Sequence, residues 1–256
     1  MSNRFYFDPA VSLRDGERVT LCGDEAYHFC RVMRGKVGDE VFIFDGVGGL
    51  FRGVVDSVLR DKVVVCLAEE VVSQIESPLS LTVASALPKG DRQKFLIEKL
   101  AEIGVHQFIP IQLERSVARA DSGVTSRFRR YVIEAAKQCG RNVLMKISEE
   151  MTLDKFIEST KNCVETNGVV GQRDFLRLLL HPVSLGEVGQ ITPKQLLNEK
   201  LPTNIVTLTG AEGSFTDREV SVCIESGFVP FAMGARILRT ETACIVAASL
   251  LLPYAG

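Results

Sequence analysis

The pattern of apolar and polar positions changes rhythm once along the chain. Up to about residue 72 the apolar residues come in short runs. "EVFIFDGVGGLFRGVVDSV" and "DKVVVCLAEEV" carry β-branched and aromatic residues interrupted by "DGVGG" and "RD", which predicts antiparallel hairpins. Ahead of them, "GDEAYHFCRVMRGKVGDE" predicts a short helix beginning near Asp24 and closing at Gly35. A small barrel-like β domain is the simplest container for these elements. From Leu79 onward, continuous apolar runs alternate with amphipathic ones: "LSLTVASAL" as a strand, "DRQKFLIEKLAEIG" as a helix with a glycine stop, "VHQFIPIQL" as a strand and "SRFRRYVIEAAKQCG" as a helix. Such alternation implies a parallel sheet covered by helices on both faces. The pattern returns with "FLRLLLHP", "NIVTLTG" and "FVPFAM" as strands, "TDREVSVCIESG" as a helix, and a closing helix from Thr240. The polar, proline-terminated "SQIESP" places the boundary near residues 72 to 78, giving a β domain over 1–72 and an α/β domain over 73–256.

Composition narrows this picture without changing it. At 256 residues, 46% hydrophobic and 24% charged, the chain has the make-up of a globular protein of two domains. No apolar run reaches the ~20 residues of a membrane span, and "MSNRFYFDPA" lacks the apolar centre of a signal peptide, so a cytoplasmic location is expected. The seven cysteines (Cys22, Cys30, Cys66, Cys139, Cys163, Cys223 and Cys244) include no C-x-x-C pair. They read as small buried thiols in a reducing compartment, and no metal site is expected. Charge is uneven: residues 85–146 hold 12 Lys and Arg against 6 Asp and Glu, a net +6, whereas residues 1–72 carry −3 and residues 147–256 carry −4. A basic block in a near-neutral protein suits a phosphate-rich partner, or simply a solvated helix face.

Two glycine-bearing loops, "TGAEGSF" at 209–215 and "MGARILR" at 233–239, follow strands of the parallel sheet. Ligands in open parallel sheets sit beyond the carboxyl ends of the strands, so both loops point to one crevice. Neither matches a dinucleotide or phosphate-loop fingerprint. The polar stretch "GARILRTETA" lies between two apolar segments, where its groups need partners from the protein or from a ligand. Thr240 is placed to cap the closing helix, with Glu241 in its first turn. His28 and His106 are expected to be structural, because no Ser, Cys or Asp forms an activating set with either.

Six blocks carry a resemblance: "RFYF", "HFCRVMRGKVGDEVFIFDG", "ALPKGDRQKFLIEKLAEIGV", "EAAKQCGR", "LTGAEGSFTDRE" and "MGARILRTETA". In order, and over essentially the whole chain, they resemble the RsmE-type ribosomal RNA methyltransferases of the SPOUT class. The resemblance implies a PUA-like β-barrel followed by a SPOUT domain whose C-terminal segment forms a trefoil knot. It also implies a homodimer that uses S-adenosylmethionine to methylate N3 of a uridine in the 16S rRNA of the small ribosomal subunit. Carried over, Leu208, Gly210, Glu212 and Gly213, with Met233, Gly234, Ile237, Leu238, Arg239 and Thr240, line the cofactor pocket; strand order suggests Leu180 and His181 as a third wall. Arg239 is expected to stabilise the developing uracil anion. Glu212 is the loop carboxylate available as a general base, unless it only hydrogen-bonds loop amides. Arg4, Arg31, Arg34, Lys36, Lys89, Arg92, Gln138 and Arg141 are expected at the RNA, with helix-spaced pairing to Glu134 or the dimer partner as the rival reading for Gln138 and Arg141. The chain departs from the family at Ala211 and Ser214, where proline and glycine are usual, which should alter the stiffness of the loop. Two alternatives stay open: a SPOUT enzyme acting on a ribose 2′-hydroxyl, and an idle RNA-binding or ribosome-assembly protein.

Overall fold

The computed structural model describes residues 3–8, 12–73, 75–162, 175–181, 191–197 and 201–252. The chain forms two compact units, one of residues 1–76 and 133–144, the other of residues 77–132 and 145–256. The division falls inside the polar stretch that composition marks. The return of 133–144 to the first unit has no local signature.

In the first unit, β1 (Arg4–Tyr6), β2 (Leu13–Asp15), β3 (Arg18–Cys22), β4 (Glu40–Phe44), β5 (Leu50–Val58) and β6 (Lys62–Glu70) form one sheet in the order β1-β4-β5-β6-β3-β2. All pairs are antiparallel except β1 with β4. Alternating residues such as Val19 and Leu21, or Val41 and Ile43, turn inward onto Phe5, Phe29 and Val65. The expected helix is present in two forms: α1 (Gly23–Tyr27) runs straight into a wider π-type turn over His28–Met33, closed by Arg34 in the left-handed region. Gly35 follows because a Cβ there would meet the Phe29 ring at 2.2 Å.

Residues 133–144 pack Ala136, Ile133 and Leu144 against Tyr6, Phe44 and Leu50. Polar contacts hold them there. Arg4 donates to the carbonyls of Gly140 (2.9 Å) and Arg141 (3.2 Å) and to Asn142 Oδ1. Lys137 pairs with the largely buried Glu25 at 3.0 Å, and Arg141 makes a two-pronged contact with Glu76 at 3.0 and 2.8 Å. Burial pushes the Glu25 carboxyl up, with Lys137 opposing.

The second unit holds β7 (Ser80–Ser85), α2 (Arg92–Ile103), β8 (Gln107–Gln112), α3 (Val124–Cys139, its last turns in the first unit), β9 (Lys146–Ile147), β10 (Met151–Thr152), α4 (Leu153–Asn162), β11 (Phe175–Leu180), α5 (Pro193–Leu197), β12 (Asn204–Thr209), α6 (Asp217–Glu225), β13 (Val229–Pro230) and α7 (Thr240–Leu251). Its sheet is wholly parallel in the order β10-β8-β7-β12-β11-β13, with β9 also on β8. Helix α2 ends at Gly104 with φ 106°, the left-handed stop that glycine allows. Thr216 and Glu219 form a reciprocal cap on α6. The expected strand "FVPFAM" shrinks to Val229–Pro230, after which Phe231 bridges Ile191 instead of continuing the ladder on β11. Helix α7 packs on α2, β7 and β12. Among the described residues no helix is long and apolar enough to cross a membrane.

Candidate functional site

Strands β11, β12 and β13 are neighbours, and their carboxyl ends release the chain at Leu180, Thr209 and Pro230 on one edge of the sheet. Between these ends lies a cavity of about 710 Å³. Leu180 and His181 form one wall, the loop from Thr209 to Phe215 a second, and Phe231 to Gly234 with Arg236 to Thr240 a third; Arg92 and Ala243 complete it. Every residue expected in the pocket borders the cavity except Leu208. Strand alternation turns Leu208 away from its neighbour Thr209 and into the apolar core beside Leu179 and Phe215.

The first loop is built for close approach. A Cβ at Gly210 would lie 3.0 Å from the Phe215 ring, and one at Gly213 would lie 3.2 Å from the Arg115 side chain. The turn closes with Ser214 N–H donating to the Ala211 carbonyl at 2.8 Å. Ser214 sits at φ 62°, the left-handed region where a side chain costs energy and glycine does not. From behind, Arg115 donates to the carbonyls of Gly213 and Phe215 at 3.0 and 3.2 Å. Arg115 escapes a reading of the sequence, since nothing in "LERS" shows that it meets a loop 98 residues away.

The second loop joins the first through Thr240. Its hydroxyl does not cap α7: extended Arg239 takes the cap position without a side-chain bond, and Thr240, the first helical residue, is buried and donates to the Gly210 carbonyl at 3.0 Å. Glu241 does lie in the first turn, buried, with one carboxylate oxygen lacking any partner. Arg92 bridges the two sides, its guanidinium 2.8 Å from Glu212 and 3.6 Å from Glu241. Glu212 is therefore already engaged, which weakens its candidacy as a base.

His181 stacks edge-on against Phe215 at 5.9 Å, and its buried Nδ1 has no protein partner. Burial holds its imidazole below the ordinary value, with the Asp217 charge opposing, so the neutral ring is favoured. Ile237 is 87% exposed at the rim, an apolar side chain without a cover, and Arg239 beside it is exposed too. Burial pushes the Cys223 thiol up to about 12 and raises that of Cys244, whose Sγ donates to the hydroxyl of pocket-lining Thr209 at 3.3 Å; Cys22, Cys30, Cys66 and Cys139 are only half-buried. Cys163 lies outside the described residues. No cluster of potential metal ligands occurs among the described residues.

The residues expected at RNA divide. Arg31, Arg34, Lys36, Lys89 and Gln138 are exposed. Arg4 and Arg141 are instead committed to the interior contacts of the first unit; Arg141 pairs with Glu76, while Lys137 takes Glu134. Arg92 belongs to the pocket wall.

Known proteins share this arrangement. The family described as RNA methyltransferase domain matches residues 75–252, and that described as RNA methyltransferase PUA domain matches residues 21–65. A ribosomal RNA small subunit methyltransferase E from Synechocystis is 33% identical over 229 residues, covering 90% of this chain and 71% of the relative. The chain belongs to the ribosomal RNA small subunit methyltransferase E family. Another family member, from Bacillus subtilis, is 28% identical over 243 residues, covering 93% of this chain and 90% of its own. Among solved structures, the family member from Neisseria gonorrhoeae bound to S-adenosyl methionine superposes with a TM-score of 0.76 at 25% identity, covering 96% of this chain and 95% of that one. A Legionella pneumophila structure with bound cofactor SAM reaches 0.81 at 28% identity, covering 98% and 97%. The two-part design, a PUA domain before a parallel-sheet methyltransferase domain, is thus that of the family.

Proposed function

We propose that the chain methylates N3 of a uridine in the 16S rRNA of the small ribosomal subunit, using S-adenosylmethionine held in the pocket at the ends of β11, β12 and β13. The observation that carries this reading is that eleven of the twelve residues expected at the cofactor, all but Leu208, border one cavity. Its chemistry fits a nucleoside-bearing cofactor. The size lies within the usual range of ligand cavities, the walls offer Leu180, Phe231, Ile237 and Leu238 as apolar surface, and the His181 Nδ1 lacks a partner within the protein.

When bound, S-adenosylmethionine supplies a methyl group on a cationic sulfur, open to attack. The protein's part is orientation, exclusion of water and stabilisation of charge. Ile237 and Leu238 cover the apolar face of what enters; backbone groups at Gly210 and Gly234 meet polar edges without steric obstruction. Loss of the N3 proton leaves a uracil anion, and the exposed Arg239 at the rim supplies the positive charge that favours it. The bond formed is nitrogen to carbon, the bond broken carbon to sulfur, and the N3 proton passes to water or to a carboxylate at the rim. Exposed Arg31, Arg34, Lys36 and Lys89 are suited to backbone phosphates. A homodimer and the knotted threading of the C-terminal segment belong to the same reading.

The test is incubation with labelled S-adenosylmethionine and small ribosomal subunits from cells lacking this activity, followed by nucleoside analysis. Appearance of 3-methyluridine is the expected result. Label on a ribose 2′-hydroxyl would move the reading to the alternative chemistry, and cofactor binding without any transfer would remove the substrate assignment.

A further inference from the structure

Arg92 opens α2, and the buried residues Leu96, Ile97 and Leu100 on the same helix fix its backbone. From there the guanidinium meets two carboxylates on different elements: Glu212 at the tip of the first pocket loop at 2.8 Å, and Glu241 in the first turn of α7 at 3.6 Å. The Glu241 side chain is only 7% exposed, and its second oxygen has no partner. A buried carboxylate so poorly supplied with donors needs a nearby cation, and among the described residues Arg92 is the one ion-paired to it. Glu212 in turn belongs to a turn that holds Ser214 at positive φ, a shape that relies on support from outside. Arg115 grips that turn from behind, and Arg92 grips it from the pocket side.

We propose that Arg92 is a latch, a positioning residue that ties the first pocket loop, through Glu212, to the start of the closing helix, through Glu241. A planar guanidinium with several donors can serve two diverging carboxylates at once, whereas an ammonium acts as a single point charge. The role displaces the RNA contact expected for this residue. Only the identity of the bound cofactor rests on the function proposed above; the latch itself is a property of the protein alone.

The primary measurement is hydrogen exchange of the 211–215 amides in the cofactor-free protein. R92A is expected to speed exchange about tenfold, the loss of a charge-assisted hydrogen bond. E212Q should do nearly the same, R92K should recover only part of the protection, and the R92A/E212Q pair should go no further than R92A alone. Unchanged exchange in R92A, or additive effects in the pair, would overturn the latch. Where R92A fails to fold, E212Q, which leaves the Arg92 and Glu241 pair in place, decides the matter by the same readout. Titration with S-adenosylmethionine should show several-fold weaker binding in R92A, with KM for that cofactor rising more than kcat falls. In RNA binding, the salt slope should match the parent's; a slope reduced by about 0.7 to 0.9 with unaltered loop exchange would return Arg92 to a phosphate contact. If the parent protein binds no S-adenosylmethionine, the cofactor reading fails, and the exchange data still decide the latch.

Discussion

Replacing Thr240 by valine tests whether the two pocket loops are joined as described. The Thr240 hydroxyl donates to the Gly210 carbonyl at 3.0 Å, and both groups are enclosed. Valine keeps the shape and removes the donor, leaving a buried carbonyl without its partner at a cost of about 1 to 3 kcal/mol. Serine keeps the donor and removes one methyl, a loss of about 0.8 kcal/mol. The donor therefore outweighs the methyl, and T240V should be the less stable of the two. For a unit of this size each kcal/mol lowers the melting temperature by about 2 to 4 °C, within reach of calorimetry on the full chain. Exchange at the 210–215 amides should also quicken in T240V and stay near the parent rate in T240S. A T240V protein as stable as T240S, with a protected loop, would show that the bond contributes nothing and that the loops are held by packing alone.

Substituting Ser214 by glycine relieves roughly 1 to 2 kcal/mol of left-handed strain and restores about 0.5 to 1 kcal/mol of unfolded-chain entropy, so a net gain of about 0 to 1.5 kcal/mol is expected by urea unfolding. A loss would mean the Ser214 side chain makes a favourable contact. Restoring proline at Ala211 together with glycine at Ser214 should keep methyl transfer, and a dead variant in the labelled assay would contradict the account of the loop. R239A should lower kcat much more than cofactor affinity, and equal loss of both would make Arg239 a binding residue. His181 and His28 both have imidazoles held below the ordinary 6.5, chiefly by burial. The unfolded chain then binds more protons as pH falls below about 6.5, so their contribution to stability is complete above that pH and is lost on acidification. The urea midpoint should fall over that window, less steeply in an H28N/H181N double variant; an identical slope would refute the assignment.

The pocket was legible in the sequence to the extent that backbone dictates it. Continuous apolar runs marked β7, β8, β11 and β12, and glycines at 210, 213 and 234 marked the loops that follow strands in a parallel sheet. What could not be read were contacts set by distant partners. Arg115 looks like any surface arginine, and Arg92 like an RNA contact, until the fold brings Gly213 and Glu212 to them. Arg4 and Arg141 look like phosphate ligands until the Gly140 carbonyl and Glu76 engage them. Thr240 opens a helix and so resembles a cap in the sequence, but its hydroxyl bonds the Gly210 carbonyl instead. Leu208 adjoins pocket residues in sequence and still faces the core, because neighbours on a strand point to opposite sides.

The first unit takes in the chain twice, at 1–76 and again at 133–144. Its inheritance therefore cannot be modular in the simple sense. A gene fragment ending at residue 76 would encode Tyr6, Phe44 and Leu50 without the Ala136, Ile133 and Leu144 that cover them, and would strip Glu25 and Glu76 of their partners Lys137 and Arg141. Such a fragment should be sticky and poorly folded, and recombination could graft the unit onto another enzyme only by carrying part of the catalytic half with it.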